Sequence, residues 1–218
     1  MTYKVAKLDD IETIDDGRCP FRPVRFHFGI ESFGANAWTA AAKGDRLINE
    51  HDEDEPDGHE ELYVVLNGHA TFELDGERVD APQGTFVYCE TGVKRTAFAD
   101  EAGTTLLALG AAPGKAYQAQ GWEIWAPANP LYLAGKYAEA ADAAKERIAA
   151  HPGHAGPLYN LACCESLAGR NEDAIEHLRE ALAISGDTVR GYAENDSDLD
   201  ALRDEPAFQD LFAATDSK

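Results

Sequence analysis

The fold of the first half of the chain is decided by Glu61-Leu62-Tyr63-Val64-Val65-Leu66-Asn67-Gly68, followed by Ala70-Thr71-Phe72-Glu73-Leu74-Asp75-Gly76-Glu77-Arg78-Val79. Aromatic and β-branched residues recur in both runs, which is typical of strands. Asp75-Gly76 supplies the residues of positive φ that a tight hairpin turn requires. The stretch therefore predicts a β-ribbon that carries a carboxylate, Glu61, at its start.

Further short strands are predicted on both sides of this ribbon, up to about residue 118. Each is bounded by glycine, proline or another turn-forming residue, and they comprise Val24–Ile30, Ala37–Ala42, Asp45–Ile48, Thr85–Cys89 and Thr104–Leu109. Many short strands with such punctuation are typical of a sandwich or a small barrel.

From about residue 122 the pattern is helical and repetitive. Gly135-Lys136-Tyr137-Ala138-Glu139-Ala140 is matched 34 residues later by Gly169-Arg170-Asn171-Glu172-Asp173-Ala174. This period, with small residues where helices cross, resembles a tetratricopeptide (TPR) array. The resemblance implies about two and a half helical hairpins that serve assembly or bind a protein partner. Because about three repeats are usually needed for independent stability, we expect them to dock on the first half or on a second subunit.

The charge balance excludes some partners. With 40 acidic and 19 basic residues the formal net charge is -21, so phosphate backbones and anionic membrane surfaces would be repelled. No apolar run approaches the roughly 18 residues of a membrane span. The N-terminus turns acidic before a signal-peptide core could form. The four cysteines lack a CxxC spacing, which is consistent with a reducing cytoplasm.

The region from about 37 to 110 resembles the cupin superfamily, of the RmlC-like single-domain kind. In that family a His-x-His pair precedes a glutamate in the first motif, and a second motif adds a further histidine. Three imidazoles and a carboxylate then hold a metal ion inside the barrel, with open positions that suit iron, manganese or nickel.

Only part of that metal site is present. Glu61 and Gly68 match the end of the first motif, but an acidic insertion, Asp52–Asp57, stands where the His-x-His pair is expected. His51 and His59 flank this insertion. The insertion also contains oxygen donors that could bind Ca²⁺, although it lacks the spacing of an EF-hand, and a solvated loop is the plainer interpretation.

The second motif is present in its spacing, but its metal-binding histidine is absent. Gly84 and Gly92 are in place, but Arg95 occupies the position of the histidine. Arginine has no lone pair to offer a metal, and its charge opposes a nearby divalent cation. Either Arg95 pairs with Glu61 and its remaining donors favour a small anionic ligand, or a metal survives on His51, His59 and Glu61.

Three functions follow from these alternatives. The first is a non-catalytic cupin module that binds a small molecule or acts as a scaffold, with a ligand pocket formed by Trp38, Glu61, Tyr63 and Arg95. The second is a metal-dependent cupin enzyme, an oxygenase or isomerase, that uses His51, His59 and Glu61 with Fe, Mn, Ni or Zn. The third is a metal-free isomerase or lyase with His59 or Tyr63 as acid–base. The first is preferred, so no cofactor is required.

The predicted architecture is thus an α+β chain in two parts. Residues 1–118 form an all-β cupin-like barrel or jelly roll with its core at about 24–112, and residues 119–218 form TPR-like helical hairpins. The cupin resemblance also implies a homodimer.

Overall fold

The computed structural model describes residues 4–15, 19–54 and 58–213. The chain divides into two compact units, Met1–Gln118 and Ala119–Lys218. The first is built mainly of β-strands and the second of helices. The last part of the acidic insertion, residues 55–57, lies outside the described residues.

The first unit consists of two antiparallel sheets. Its strands are β1 (Phe21–Arg22), β2 (Gly34–Thr39), β3 (Arg46–His51), β4 (Glu60–Asn67), β5 (His69–Leu74), β6 (Glu77–Pro82), β7 (Phe86–Cys89), β8 (Arg95–Ala99) and β9 (Thr105–Ala111). One sheet has the order β1-β2-β9-β4-β7 and the other the order β3-β8-β5-β6. Two antiparallel sheets of short strands confirm the all-β character predicted for this half of the chain.

The turns of the central ribbon follow from its sequence. Asp75 (φ 50°) and Gly76 (φ 85°) connect β5 to β6, whose closing pair is Leu74 and Glu77. Two consecutive residues of positive φ are what the predicted tight hairpin requires. Gly68, between β4 and β5, has φ 75°, and a Cβ there would lie 2.8 Å from the backbone Cα of Thr104. Only glycine fits that position.

One predicted strand is wrong. Val24–Phe28, within the run Val24–Ile30, forms a short helix, α1. Pro23 precedes it, and Gly29 ends it at φ 71° with its N–H donating to the Arg25 carbonyl at 2.9 Å. A proline before the first turn and a left-handed glycine after the last are helix boundaries. Apolar alternation over seven residues does not distinguish one helical turn from a strand.

The core of the first unit lies between the two sheets. Because side chains alternate along a strand, Tyr63 and Val65 of β4 point inward together with Glu61. Phe72 of β5 and Leu106 of β9 complete the most deeply buried set. The inward run of β4 therefore begins with a carboxylate at one end of the core and continues with apolar side chains.

The second unit is helical. Its helices are α2 (Gly121–Trp125), α3 (Asn129–Leu133), α4 (Tyr137–Ala150), α5 (Ala155–Leu167), α6 (Asn171–Ala193) and α7 (Pro206–Ala213), with a 3-10 helix at Ser197–Leu202. Gly135 and Gly169 have φ 72° and 73° and lie at equivalent places, before α4 and before α6. In the described part of the chain no helix has the length and apolar character needed to cross a membrane.

A buried charged group connects three of these helices. Glu165 of α5 is completely buried, and its carboxylate lies 2.9 Å from Lys145 Nζ on α4 and 2.6 Å from His177 Nδ1 on α6. The hydrogen bond with Glu165 raises the pKa of His177 and outweighs the opposite effect of burial. This carboxylate therefore links α5 to α4 and to α6 through ion pairs.

Candidate functional site

A polar cluster surrounds Glu61 at the start of β4. Its Oε2 atom lies 3.0 Å from Arg95 Nε, 2.8 Å from Arg95 Nη2 and 3.1 Å from His51 Nε2. The hydroxyl of Tyr63 also donates to this oxygen. Four donors thus converge on one carboxylate oxygen. We call His51, Glu53, Glu61, Tyr63 and Arg95 the Glu61 cluster.

Sheet register brings these residues together. Glu61 and Tyr63 are two residues apart on β4 and therefore share its inner face. His51 at the end of β3 pairs with Arg95 at the start of β8 in the opposite sheet. Beside Glu61 in its own sheet lies Gly110 of β9, where a Cβ would come within 3.2 Å of Glu61 Cγ. The glycine leaves the space that the glutamate stem occupies.

Arg95 is the buried half of an ion pair. Its side chain is 0% exposed. Besides its two bonds to Glu61, Nη1 donates to the Val93 carbonyl at 2.8 Å and Nη2 approaches the His59 carbonyl at 3.5 Å. The guanidinium is therefore enclosed by protein acceptors and does not extend to solvent. This placement departs from the expectation that its remaining donors would face an anionic ligand.

His51 has acceptors at both ring nitrogens. Nδ1 lies 2.7 Å from the Asn49 carbonyl oxygen, which can only accept, so Nδ1 carries a proton. Nε2 faces the Glu61 carboxylate, and both bonds are satisfied at once only by the imidazolium. Burial lowers the pKa of His51, but the hydrogen bonds to Glu61 and Asn49 outweigh it and the pKa rises. The ring is 33% exposed, so solvent and solutes reach it.

The carboxylate and the phenol differ in charge state. Burial raises the pKa of Glu61, but bonds from His51, Tyr63 and Arg95 outweigh it, so its pKa lies below the usual range. Burial and the neighbouring Glu61 charge raise the pKa of Tyr63 well above its usual range. Glu61 is therefore an anion at neutral pH, and Tyr63 is a neutral phenol that donates to it.

Glu53, which was not among the residues singled out from the sequence, joins the cluster. Its Oε1 lies 3.9 Å from His51 Nε2, and its Oε2 accepts from the His59 backbone N–H at 3.2 Å. It adopts φ 55°, a left-handed conformation uncommon for a residue with a side chain. The only sequence signal for it was its position in the acidic insertion directly after β3.

His59 and Trp38 are placed differently from one another. The His59 ring packs against Tyr117 at a centroid distance of 5.4 Å, and its backbone N–H and carbonyl contact Glu53 and Arg95 of the Glu61 cluster. Trp38 pairs with Leu106, which lies four residues along β9 from Gly110, the partner of Glu61. Four residues correspond to about 13 Å along a strand. The structure thus brings together Glu61, Tyr63 and Arg95 of the predicted pocket and leaves Trp38 apart.

The residues fit the metal site of the cupin family only in part. Arg95 stands where the motif that the sequence resembles has an imidazole, and it holds a positive charge 2.8 Å from Glu61 Oε2, which opposes a cation bound to the same oxygen. A smaller set of possible metal ligands remains, because ligand atoms of His51, Glu53 and Glu61 all lie within 4.8 Å of one another. This set contains Glu53 where the sequence predicted His59.

Solved structures that resemble the chain include cupins of low sequence identity. A cupin protein from Bacteroides fragilis is 15% identical over 55% of this chain and 90% of its own, with a TM-score of 0.39. An RmlC-like cupin protein from Desulfovibrio desulfuricans is 23% identical over 50% and 97%, with a TM-score of 0.41. A sugar phosphate isomerase of the cupin superfamily from Silicibacter pomeroyi is 16% identical over 50% and 75%, with a TM-score of 0.41.

No protein-family model matches the chain, and no curated protein matches it. With identities and scores this low, function has to be argued from the residues themselves.

Proposed function

We propose that the first unit is a cupin-type barrel that binds a small molecule at the Glu61 cluster, with the Glu61–Arg95 ion pair in place of a metal ion. The observation that carries this proposal is the complete burial of Arg95 with two hydrogen bonds to Glu61 Oε2. A buried guanidinium needs a carboxylate partner, and once paired it offers nothing to a metal. The motif positions Glu61, Gly68, Gly84 and Gly92 support the cupin assignment.

The groups that a ligand would meet are His51, Glu53 and Glu61. Each is partly exposed, whereas Arg95 is enclosed. Two carboxylates, one imidazolium and the Arg95 guanidinium carry no net charge together, so the cluster favours a neutral ligand that donates hydrogen bonds to the carboxylates. This differs from the anionic molecule expected from the sequence, because that expectation required exposed donors on Arg95.

A binding role is favoured over metal-free catalysis. A general base needs a pKa near the working pH, and Tyr63 has a pKa raised away from it. The ring of His59 packs on Tyr117. Of the two residues proposed from the sequence as acid–base, Tyr63 is therefore unsuited to that role.

A metal on His51, Glu53 and Glu61 is the second candidate. His51 donates from Nδ1 to a backbone carbonyl, which is how proteins orient an imidazole that ligates a metal through Nε2. One nitrogen and two carboxylate donors suit Fe, Mn, Ni or Zn, and the bound ion would act as a Lewis acid. In this case Nε2 would be unprotonated and Glu53 would be a ligand.

For the second unit we propose a TPR-like assembly role. The 34-residue spacing of Gly135 and Gly169, their equal positive φ and the buried alanines Ala140 and Ala174 support repeating helical hairpins. Small residues at these positions allow adjacent helices to approach closely.

The test combines elemental analysis with native mass spectrometry of the full chain purified without chelator. We expect substoichiometric transition metal, together with a co-purifying neutral small molecule that is lost in Glu53→Gln. Glu50→Gln is the matched control, because Glu50 is exposed and pairs with Lys94 on the surface at 2.8 Å. Stoichiometric metal that disappears in His51→Gln and Glu53→Gln would establish the second candidate instead.

A further inference from the structure

We infer that Tyr117 is a positioning residue for the ligand site proposed above, because it holds His59 and, through the His59 backbone, the Glu53 carboxylate at the Glu61 cluster. The inference rests on the proposed function and adds the residue that sets where one of the ligand-facing carboxylates points. Tyr117 lies shortly after β9, near the end of the first unit.

The Tyr117 ring lies on the inner face of the five-stranded sheet, in the same row as Glu61. Glu61 pairs with Gly110 of β9, and Gly110 pairs with Gly34 of β2. Paired residues of neighbouring strands share a face, so Gly34 faces inward with Glu61. A Cβ at Gly34 would lie 2.8 Å from the Tyr117 hydroxyl oxygen and 3.1 Å from two of its ring carbons. The ring therefore lies over Gly34, whose backbone is about 10 Å from that of Glu61 across two strand spacings.

Two further contacts fix this ring. The Arg25 guanidinium lies over it at 5.1 Å from the ring centroid, which is a cation–π contact. Arg25 is itself buried, and its Nη1 donates to the Ile30 carbonyl at 3.2 Å. The His59 ring packs on Tyr117 at 5.4 Å between centroids, with 40° between the ring planes. Tyr117 thus connects α1 and β2 to the residue directly before β4.

His59 is joined to the Glu61 cluster by its backbone. Its N–H donates to Glu53 Oε2 at 3.2 Å, and its carbonyl oxygen lies 3.5 Å from Arg95 Nη2. Glu53 lies beyond the end of β3 and has φ 55°, so strand pairing does not fix its side chain. The bond from His59 is shorter than the 3.9 Å separation between Glu53 Oε1 and His51 Nε2. The His59 backbone therefore sets the position of the Glu53 carboxylate, and Tyr117 sets the position of His59.

This arrangement also sets the side from which a ligand reaches the carboxylates. Tyr117 covers the β2 end of the row, whereas the His51 ring, on the opposite sheet, is 33% exposed. The Glu53 side chain beside it is partly exposed. A neutral molecule with N–H or O–H donors therefore enters from the His51 side and meets a carboxylate that is already in place. Such preorganisation lowers the entropy cost of binding.

Amide hydrogen exchange of the full chain, followed by NMR, tests the positioning step without a ligand. In Tyr117→Leu we expect the His59 amide to exchange about 10-fold faster than in wild type, because its hydrogen bond to a charged acceptor is loosened. Gly34→Ala should have the same effect, since the new Cβ displaces the Tyr117 ring and leaves its chemistry intact. Tyr117→Phe keeps the ring contacts and should exchange as wild type does. The Phe72 amide, in the middle of the other sheet, is the internal reference.

Native mass spectrometry of the same proteins tests the consequence for binding. The co-purifying molecule should be lost in Tyr117→Leu and in Gly34→Ala, and it should be retained in Tyr117→Phe. The matched control is Tyr192→Leu, which removes an exposed tyrosine (55%) from α6 and should change neither measurement.

The outcomes separate the inference from the proposed function. Unchanged exchange at His59 in Tyr117→Leu would overturn the inference, and so would equal acceleration at Phe72, because Tyr117 would then only stabilise the fold. A molecule retained by Tyr117→Leu at wild-type occupancy would also overturn it. If the wild-type protein carries no small molecule, the proposed function fails, whereas faster exchange confined to His59 would still support the placement of Glu53 by Tyr117.

Discussion

Replacement of Arg95 by methionine tests the internal ion pair directly. Methionine has a similar length, no charge and a flexible apolar stem, so it fills the guanidinium site without a new donor. The change removes two of the four hydrogen bonds to Glu61 Oε2 and leaves those from Tyr63 and His51. The buried carboxylate then lacks its guanidinium partner but still accepts two hydrogen bonds, from Tyr63 and His51.

The loss of stability is expected to differ between removal of Arg95 and removal of the Glu61 charge. Removal of one partner of a buried ion pair costs about 3–5 kcal/mol. Because Tyr63 and His51 still donate to Glu61, we expect about 3 kcal/mol for Arg95→Met. Glu61→Gln leaves a fully buried guanidinium without its anion, with only neutral amide and carbonyl oxygens as acceptors, so we expect about 4–5 kcal/mol. The double variant should cost about 2–3 kcal/mol less than the sum of the two single variants.

Urea unfolding at neutral pH measures these differences. Trp38 is the only tryptophan of the first unit, so a Trp122→Phe/Trp125→Phe background lets its fluorescence report on the barrel alone. In a thermal unfolding experiment, a loss of 3 kcal/mol corresponds to a melting temperature about 12 °C lower for a unit of this size. Arg78→Met is the matched control, since that arginine is mostly exposed and should change stability by less than about 0.5 kcal/mol.

Two results would refute the reasoning. The first is a loss below about 1 kcal/mol for Arg95→Met, because a surface ion pair would give that value. The second is additive effects in the double variant, which would mean that the two side chains do not interact in the folded barrel.

Three further predictions rest on other contacts. The raised pKa of His51 means that its ion pair with Glu61 stabilises the barrel fully below the ordinary value of 6.5, and that this contribution is lost as pH rises through the folded-state pKa. The difference in melting temperature between wild type and His51→Gln should therefore be largest near pH 6 and shrink toward pH 9. Gly110→Ala should lower the melting temperature of the barrel, because its Cβ would meet the Glu61 stem at 3.2 Å, whereas Gly191→Ala in α6 has open space and should be neutral or slightly stabilising. Glu165→Gln should cost the helical unit about 3 kcal/mol by chemical denaturation, because it leaves its lysine and histidine partners without their buried anion.

The sequence predicted the pairing of Glu61 with Arg95 as one of two alternatives, and the geometry places these side chains in contact. The prediction worked because motif spacing sets strand register, and register fixes which side chains share the inner face. The sequence could not show how deeply Arg95 is buried. That burial depends on the backbone carbonyls of Val93 and His59, and every residue has a backbone carbonyl whatever its side chain.

Glu53 was missed for a related physical reason. It lies in an insertion without strand or helix periodicity, so no pattern indicates where its carboxylate points. Its left-handed backbone and its contact with the His59 N–H bring it to His51, and both depend on the tertiary structure. His59 was singled out because it shares strand alternation with Glu61, but β4 begins at Glu60, so alternation does not extend to it.

Stability and ligand choice are expected to depend on different residues of the Glu61 cluster. Arg95 and Tyr63 are buried and keep Glu61 ionised. His51 and Glu53 are partly exposed, so a ligand from solution can reach them. Because Glu53 contacts His51 only at 3.9 Å, its loss removes little from the buried ion pair. Glu53→Gln should therefore change binding and leave the melting temperature nearly unchanged, while Arg95→Met should lower the melting temperature most. If Glu53→Gln destabilised the barrel as much as Arg95→Met, the acidic loop would be part of the core and not the place where a ligand enters.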